Sequence, residues 1–384
     1  MKSKALLAAV SAGVIGLFAG CAGFFPPLTT STTTTATSGD YIYIVNTTTN
    51  TLSEFSLASS ALTAISGSPL SLSGVLASLS AQSIAVTRAN TFVYVGGQGG
   101  IACFSIGTGG ALTAVTTSNL TSLGDFVSLD TSPDGQWLVG LDGVNHSINI
   151  YGINASTGVL TLNGTATAYP LVMAGNPSVA EAVKFAPTGA YLGVALGTSG
   201  DVVYPFTTAT GVLGATGQEI QFSSTGTNAS DNALVFDSTG TYLYVARLIS
   251  GTGNSRVASY SISSAGIPAA VGSAVTGDAP YSILIDSTGT YLYTANRGSA
   301  NIYGYSIASG VFTALSGSPY ASGLSATGLV EDNTDKYLVG VASNGSYDYT
   351  LYSFDALSAG NLDAVSVGAS GSDPAGSGAV AATH

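Results

Sequence analysis

The chain has 384 residues and a net charge of −12, with 20 Asp and Glu against eight Lys and Arg. A phosphate backbone would meet repulsion and find few cations to displace its counterions, which argues against nucleic acid as a partner. Charged residues make up only 7% and hydrophobic ones 45%, with 50 glycines and 20 tyrosines, a balance that favours strands and tight turns over helices.

Residues 1–20 read as a signal peptide: two lysines, then an apolar run from Ala5 to Phe18 that is shorter than the ~20 residues needed to cross a bilayer. Ala19 and Gly20 precede Cys21, with Phe18 where Leu is preferred and Leu17 one residue early. This end resembles the bacterial lipoprotein signal, and the resemblance implies a lipid on Cys21 and an extracytoplasmic protein anchored to a membrane of the cell envelope. Residues 21–38, with Pro26-Pro27 and a Thr-rich run, lack apolar periodicity and read as a polar tether. With Cys21 acylated, Cys103 has no disulfide partner and is expected to be a small buried hydrophobe.

From residue 39 one pattern recurs: YIYIVN (41–46), FVYVGG (92–97), WLVGLD (137–142), YLGVAL (191–196), YLYVAR (242–247), YLYTAN (291–296) and YLVGVA (337–342). The seven copies start 45 to 54 residues apart, the length of a four-stranded propeller blade. In the most regular copy SILID (282–286) leads through a turn to YLYTAN, then NIYGYSI (301–307) and VFTAL (311–315), which predicts strands A to D. A positive φ is expected in the A–B turns at Gly135, Gly189, Gly240 and Gly289, with Asn90 and Asp335 as substitutes. The first copy lacks a strand A, and residues 378–383 look like a strand A with no B after it. The sequence therefore predicts an all-β, seven-bladed β-propeller over 39–384, closed by pairing of the C-terminal strand into the first blade.

YLYTANRGSANIYGYSI (291–307), FTALSGSPY (312–320), LTAISGSPL (62–70) and the SPDG turn (132–135) resemble the lactonase-type propellers, the 6-phosphogluconolactonase-like and YVTN-repeat proteins. The resemblance implies a seven-bladed propeller, with lactone chemistry in some members and no established catalysis in many. It also implies His, Glu and Arg on the loop face.

The repeat alignment places Asn46, Asp142, Arg247 and Asn296 together at the end of strand B, with His146 and Arg297 just beyond. Glu181 and Asn232 align with Tyr281 at the start of strand A. A lactonase needs a base for water and a donor for the oxyanion. His146 or Glu181 is the candidate base, and Arg247 or Arg297 the oxyanion stabiliser. Asn46, Asp142, Asn232 and Asn296 are candidate ligand-binding residues. The same side chains also suit structural ties between blades.

Asp130 and Lys184 share a mid-strand-A position in adjacent blades, which predicts an inter-blade ion pair. Two histidines and no zinc-type spacing leave no expected metal, and no cofactor is implied. The overall expectation is a monomeric, lipid-anchored envelope propeller that binds a small molecule, glycan or protein. The alternative is a lactone hydrolase acting at the channel mouth.

Overall fold

The computed structural model describes residues 39–115, 124–173, 175–221, 229–251, 255–370 and 376–384; the leader, Cys21 and the whole tether lie outside them. Seven antiparallel sheets of four principal strands follow one another along the chain. In blade 6 strands Pro280–Ile285, Tyr291–Asn296, Asn301–Ala308 and Val311–Ala314 are the A to D predicted from its repeat. Blade 1 takes strand A from the other end of the chain: Ser377–Ala382 pairs with Tyr41–Asn46, Ile42 opposite Ala382 and Asn46 opposite Ser377. The ring is closed as expected, one residue earlier than the predicted 378–383. A short hairpin, Val172–Met173 with Asn176–Pro177, lies between blades 3 and 4 and has no counterpart in the repeat.

Strand geometry explains the core. Successive side chains face opposite sides of a sheet, so Ile42 and Ile44 pack against blade 7 while Tyr43 and Val45 pack against blade 2. The same alternation in each strand B gives seven hydrophobic clusters, each shared by two neighbouring blades. The A–B turns carry the expected positive φ at Gly135, Gly189, Gly240, Gly289, Asn90 and Asp335.

The YxY pattern of strand B also has a physical reason. Buried Tyr hydroxyls need partners, and here Tyr43 donates to Gly110 O (2.9 Å), Tyr94 to Gly158 O (2.8 Å) and Tyr293 to Gly360 O (2.5 Å). Each acceptor sits in the C–D turn of the next blade. Gly110 and Gly360 have φ of 81° and 82°, and a Cβ on either would come within 2.3 Å of the ring of Tyr41 or Tyr291. Glycine is therefore required there for backbone and for space.

At the seam between blades 7 and 1, fully buried Asp348 accepts from the Ser370 N–H at 2.6 Å. Its Oδ2 lies 2.5 and 2.9 Å from the hydroxyls of Ser370 and Ser377, which also reach Asn46 Oδ1 at 2.6 and 3.2 Å. Replacing Asp348 with Ala would leave the buried Ser370 N–H without its acceptor and the two hydroxyls with Asn46 Oδ1 alone. We expect Asp348→Ala to lower unfolding free energy by about 2–4 kcal/mol in urea denaturation, from the cost of unsatisfied buried groups.

Candidate functional site

The rim where strand A begins is built by a repeated irregularity. Between strands A and B the register skips one strand-A residue in five blades: Gly378, Val127, Asn232, Tyr281 and Thr327. In blade 4 Glu181 holds the same position, its N–H bonding Ala195 O at 3.1 Å. Blade 2 has a longer irregularity between Leu79 and Ile84, which places Gln82 at the seventh position with a φ of 69°. A bulge takes a residue out of the ladder and re-aims its side chain. Seven such residues thus ring one end of the channel.

Four of them, with one loop cation, form a polar cluster. The Gln82 amide donates to the carbonyls of Asn232 (3.2 Å) and Tyr281 (3.0 Å), reaching from blade 2 to blades 5 and 6. Asn232 in turn donates to Pro280 O at 2.9 Å. The Arg297 guanidinium lies 5.3 Å from the centroid of the Tyr281 ring, within cation–π range. Burial pushes the Glu181 carboxyl up to about 7. Burial likewise raises the Tyr281 phenol, with the nearby Glu181 charge adding to the effect and Arg297 and Gln82 opposing it. A carboxyl poised near neutrality, a protonated phenol and a cation therefore face one mouth.

The other expected rim residues are held elsewhere. Arg247 makes a bidentate pair with Asp231, Nε to Oδ1 and Nη2 to Oδ2 both at 2.7 Å, and also donates to the Tyr260 hydroxyl at 3.1 Å. Its guanidinium is thus directed between blade strands. His146 is exposed at a φ of 51°, with Nδ1 3.1 Å from the hydroxyl of Tyr169. Asp142 Oδ1 accepts the N–H groups of Asp125, Val144 and Asn145 at 3.3, 3.0 and 3.0 Å, so it caps the B–C loop. Asn296 donates to Asn301 Oδ1 at 3.0 Å, and Asn46 to Ser53 Oγ at 2.8 Å. Asn46, Asp142 and Asn296 are all buried. Their shared place at the end of strand B reflects a common loop-capping task. Tyr281 and Gln82 were not singled out as site residues from the sequence. Tyr281 had only its alignment with Glu181 as a signal, and the longer irregularity of blade 2 hid Gln82.

Residues 32–175 match the family described as "Lactonase, 7-bladed beta-propeller". The match covers less than half of the chain, which over this stretch is similar to that family. Comparison with curated proteins finds no match. Among solved structures, a Lactobacillus plantarum protein is 20% identical with a TM-score of 0.70, covering 90% of this chain and 100% of its own. A putative 6-phosphogluconolactonase from Bacteroides uniformis is 14% identical with a TM-score of 0.71, covering 90% and 99%. The Pseudomonas aeruginosa periplasmic gluconolactonase PpgL is 14% identical with a TM-score of 0.66, over the same shares of the two chains. At these identities the structural likeness concerns the fold.

In this propeller the mid-strand pair lies along the channel wall. Lys184 Nζ is 3.4 Å from Asp130 Oδ1, while the Phe185 N–H donates to Asp130 Oδ2 at 2.8 Å. With the Lys184 side chain 42% exposed, the pair contributes at most about 1 kcal/mol. Cys103 is buried, its thiol 3.5 Å from Gly158 O. Among the described residues no group of three or more His, Cys, Asp or Glu side chains is placed to hold a metal ion.

Proposed function

We propose that the rim cluster binds a lactone and opens it by hydrolysis, with Glu181 as general base and Arg297 and Tyr281 as stabilisers of the oxyanion. The observation that carries this reading is the meeting of Glu181, Tyr281 and Arg297, from blades 4 and 6, at one channel mouth. Glu181 as carboxylate takes a proton from water, and the hydroxide adds to the lactone carbonyl carbon. The charge that develops on the carbonyl oxygen is met by the guanidinium and the phenol O–H. When the ring C–O bond breaks, the proton on Glu181 passes to the departing alkoxide, giving a hydroxy acid. Binding energy and orientation come from Gln82 and Asn232 across the same mouth.

The substrate is an unphosphorylated lactone. Arg247 is committed to Asp231, so Arg297 is the principal cation at this rim, and a phosphate dianion beside Glu181 calls for more than one. The second reading, a ligand-binding module without turnover, draws on the capping roles of Asp142, Asn46 and Asn296. A panel of unphosphorylated and phosphorylated sugar lactones separates the two. Turnover supports hydrolysis, binding without turnover supports the module, and neither would sink both.

We place the protein in the cell envelope, lipid-anchored through Cys21, on the strength of its leader and of the small residues before that cysteine. Expressed in a bacterium fed a labelled fatty acid, the chain should incorporate label and fractionate with membranes. Cys21→Ala should abolish both; label retained in that variant would refute the anchor.

A further inference from the structure

Beneath the rim, the central channel encloses a cavity of about 300 Å³ with two unlike ends. At the loop end Gln82 lines it and bonds across the mouth to blades 5 and 6, and the cavity lining does not extend to Glu181 or Tyr281. Its middle is walled by apolar residues from several blades, among them Ile84, Leu234, Leu284, Val330 and Val380. At the A–B-turn end it is lined by Arg88, Glu331 and His384, with the Asp130–Lys184 pair just above, level with Leu284 and Val330.

We propose that this channel is a second site, separate from the rim, which takes a small amphipathic anion: a medium-length aliphatic carboxylate with its tail in the apolar shaft and its head at Arg88. The volume is about twice that of a cavity of about 150 Å³ that holds benzene, and it lies at the lower bound of ordinary ligand pockets. Apolar walls favour a hydrocarbon body at roughly 0.8 kcal/mol per buried CH₂.

The sign of the head follows from what the charges at the open end already do. Asp130 is answered by Lys184 at 3.4 Å and by the Phe185 N–H. Glu331 is tied to the Ser287 N–H at 2.6 Å, and burial raises its carboxyl to about 7, which halves its charge near neutrality. The exposed Arg88 has no carboxylate within 4.0 Å among the described residues, so it is the cation left to be answered. The His384 ring feels the same field: burial first, then the Arg88 charge, lower its pKa and keep it neutral. A guanidinium at the mouth of an apolar shaft matches a carboxylate head in charge and in paired donors.

Calorimetric titration of the folded protein with octanoate, 1-octanol and octylammonium tests this. Octanoate should bind at least tenfold more tightly than either of the others. Arg88→Ala should weaken octanoate at least fivefold, and Leu284→Phe or Val330→Phe, which fill the shaft from different blades, at least tenfold. The proposal is overturned if octanoate does not bind, if the three probes bind alike, or if a folded shaft-filling variant binds as wild type does. Should both filled variants fail to fold, exposed Arg88 decides, and unchanged octanoate affinity in Arg88→Ala overturns it. Lactone turnover plays no part in these readouts, so the outcome is independent of the rim reading.

Discussion

Glu181→Gln is expected to reduce lactone turnover by about 10²- to 10⁴-fold, the range for losing a positioned general base, while substrate binding changes little. The amide keeps the size of the side chain but cannot accept the proton from water. Wild-type activity should follow the ionisation of this one group. Burial pushes the Glu181 carboxyl up to about 7, and the active form is the carboxylate, so rate should climb with pH through neutrality to a plateau on the alkaline side. An ordinary exposed glutamate would already be at plateau by pH 6. Steady-state kinetics of both proteins from pH 5 to 9 check this. A wild-type profile flat across neutrality, or a Gln variant with full activity, would remove Glu181 from the mechanism.

A large loss of stability is expected from Arg247→Ala, about 3–5 kcal/mol, because its removal leaves a buried carboxylate without its counter-ion. Asp231 is fully buried and Arg247 only 15% exposed in its side chain. A second fully buried carboxyl, Asp201 in strand Asp201–Thr207 of blade 4, sits beside this pair. Its pKa is raised well above the usual carboxylate range, by burial first and then by the Asp231 charge, with Arg247 opposing. Neither Asp201 carboxyl oxygen has a hydrogen-bond partner among the described residues, so its burial goes uncompensated. In the unfolded chain it ionises near the ordinary 3.8. The folded state therefore binds this proton more tightly than the unfolded chain does. Its stabilising effect is complete at pH values below the unfolded pKa and declines as pH rises toward the folded one. Asp201→Asn keeps the size of the side chain and has no charge to gain. Denaturant titrations should show that this variant loses less stability than wild type as pH rises above the unfolded value. A parallel pH dependence in the two proteins would contradict this role for Asp201.

Much of the ring was legible in the sequence because its determinants are local. Alternating apolar residues, a turn residue with positive φ and a spacing near fifty residues each lie within one blade. The closing strand could be read because blade 1 lacked an A strand and the chain ended with one to spare. Asp130 and Lys184 could be paired because the repeat carried them to the same rung of adjacent blades. The latches from Tyr43 to Gly110 and from Tyr293 to Gly360 were hidden, since each joins residues 67 apart in sequence and belongs to two different repeats. The rim was half legible. Alignment brought out Glu181, but gave Arg247 the same standing as Arg297. Only the side-chain contacts show that Asp231 occupies Arg247, and Asp231 lies in the strand-A segment of the same blade, where the repeat gave it no distinguishing mark.

The recurring bulge has a consequence for how such a ring can change. Seven positions around one mouth, held by Gly378, Gln82, Val127, Glu181, Asn232, Tyr281 and Thr327, are already excused from the sheet ladder. None has to obey the alternation of the paired strand residues. The mouth therefore works like a keyboard whose keys can be exchanged without rebuilding the frame. A library varied at these seven positions alone should yield folded propellers with altered ligand preference, whereas diversity at Ala182, Ala233 and Ala379, each one residue further along, would fall in the inter-blade cores.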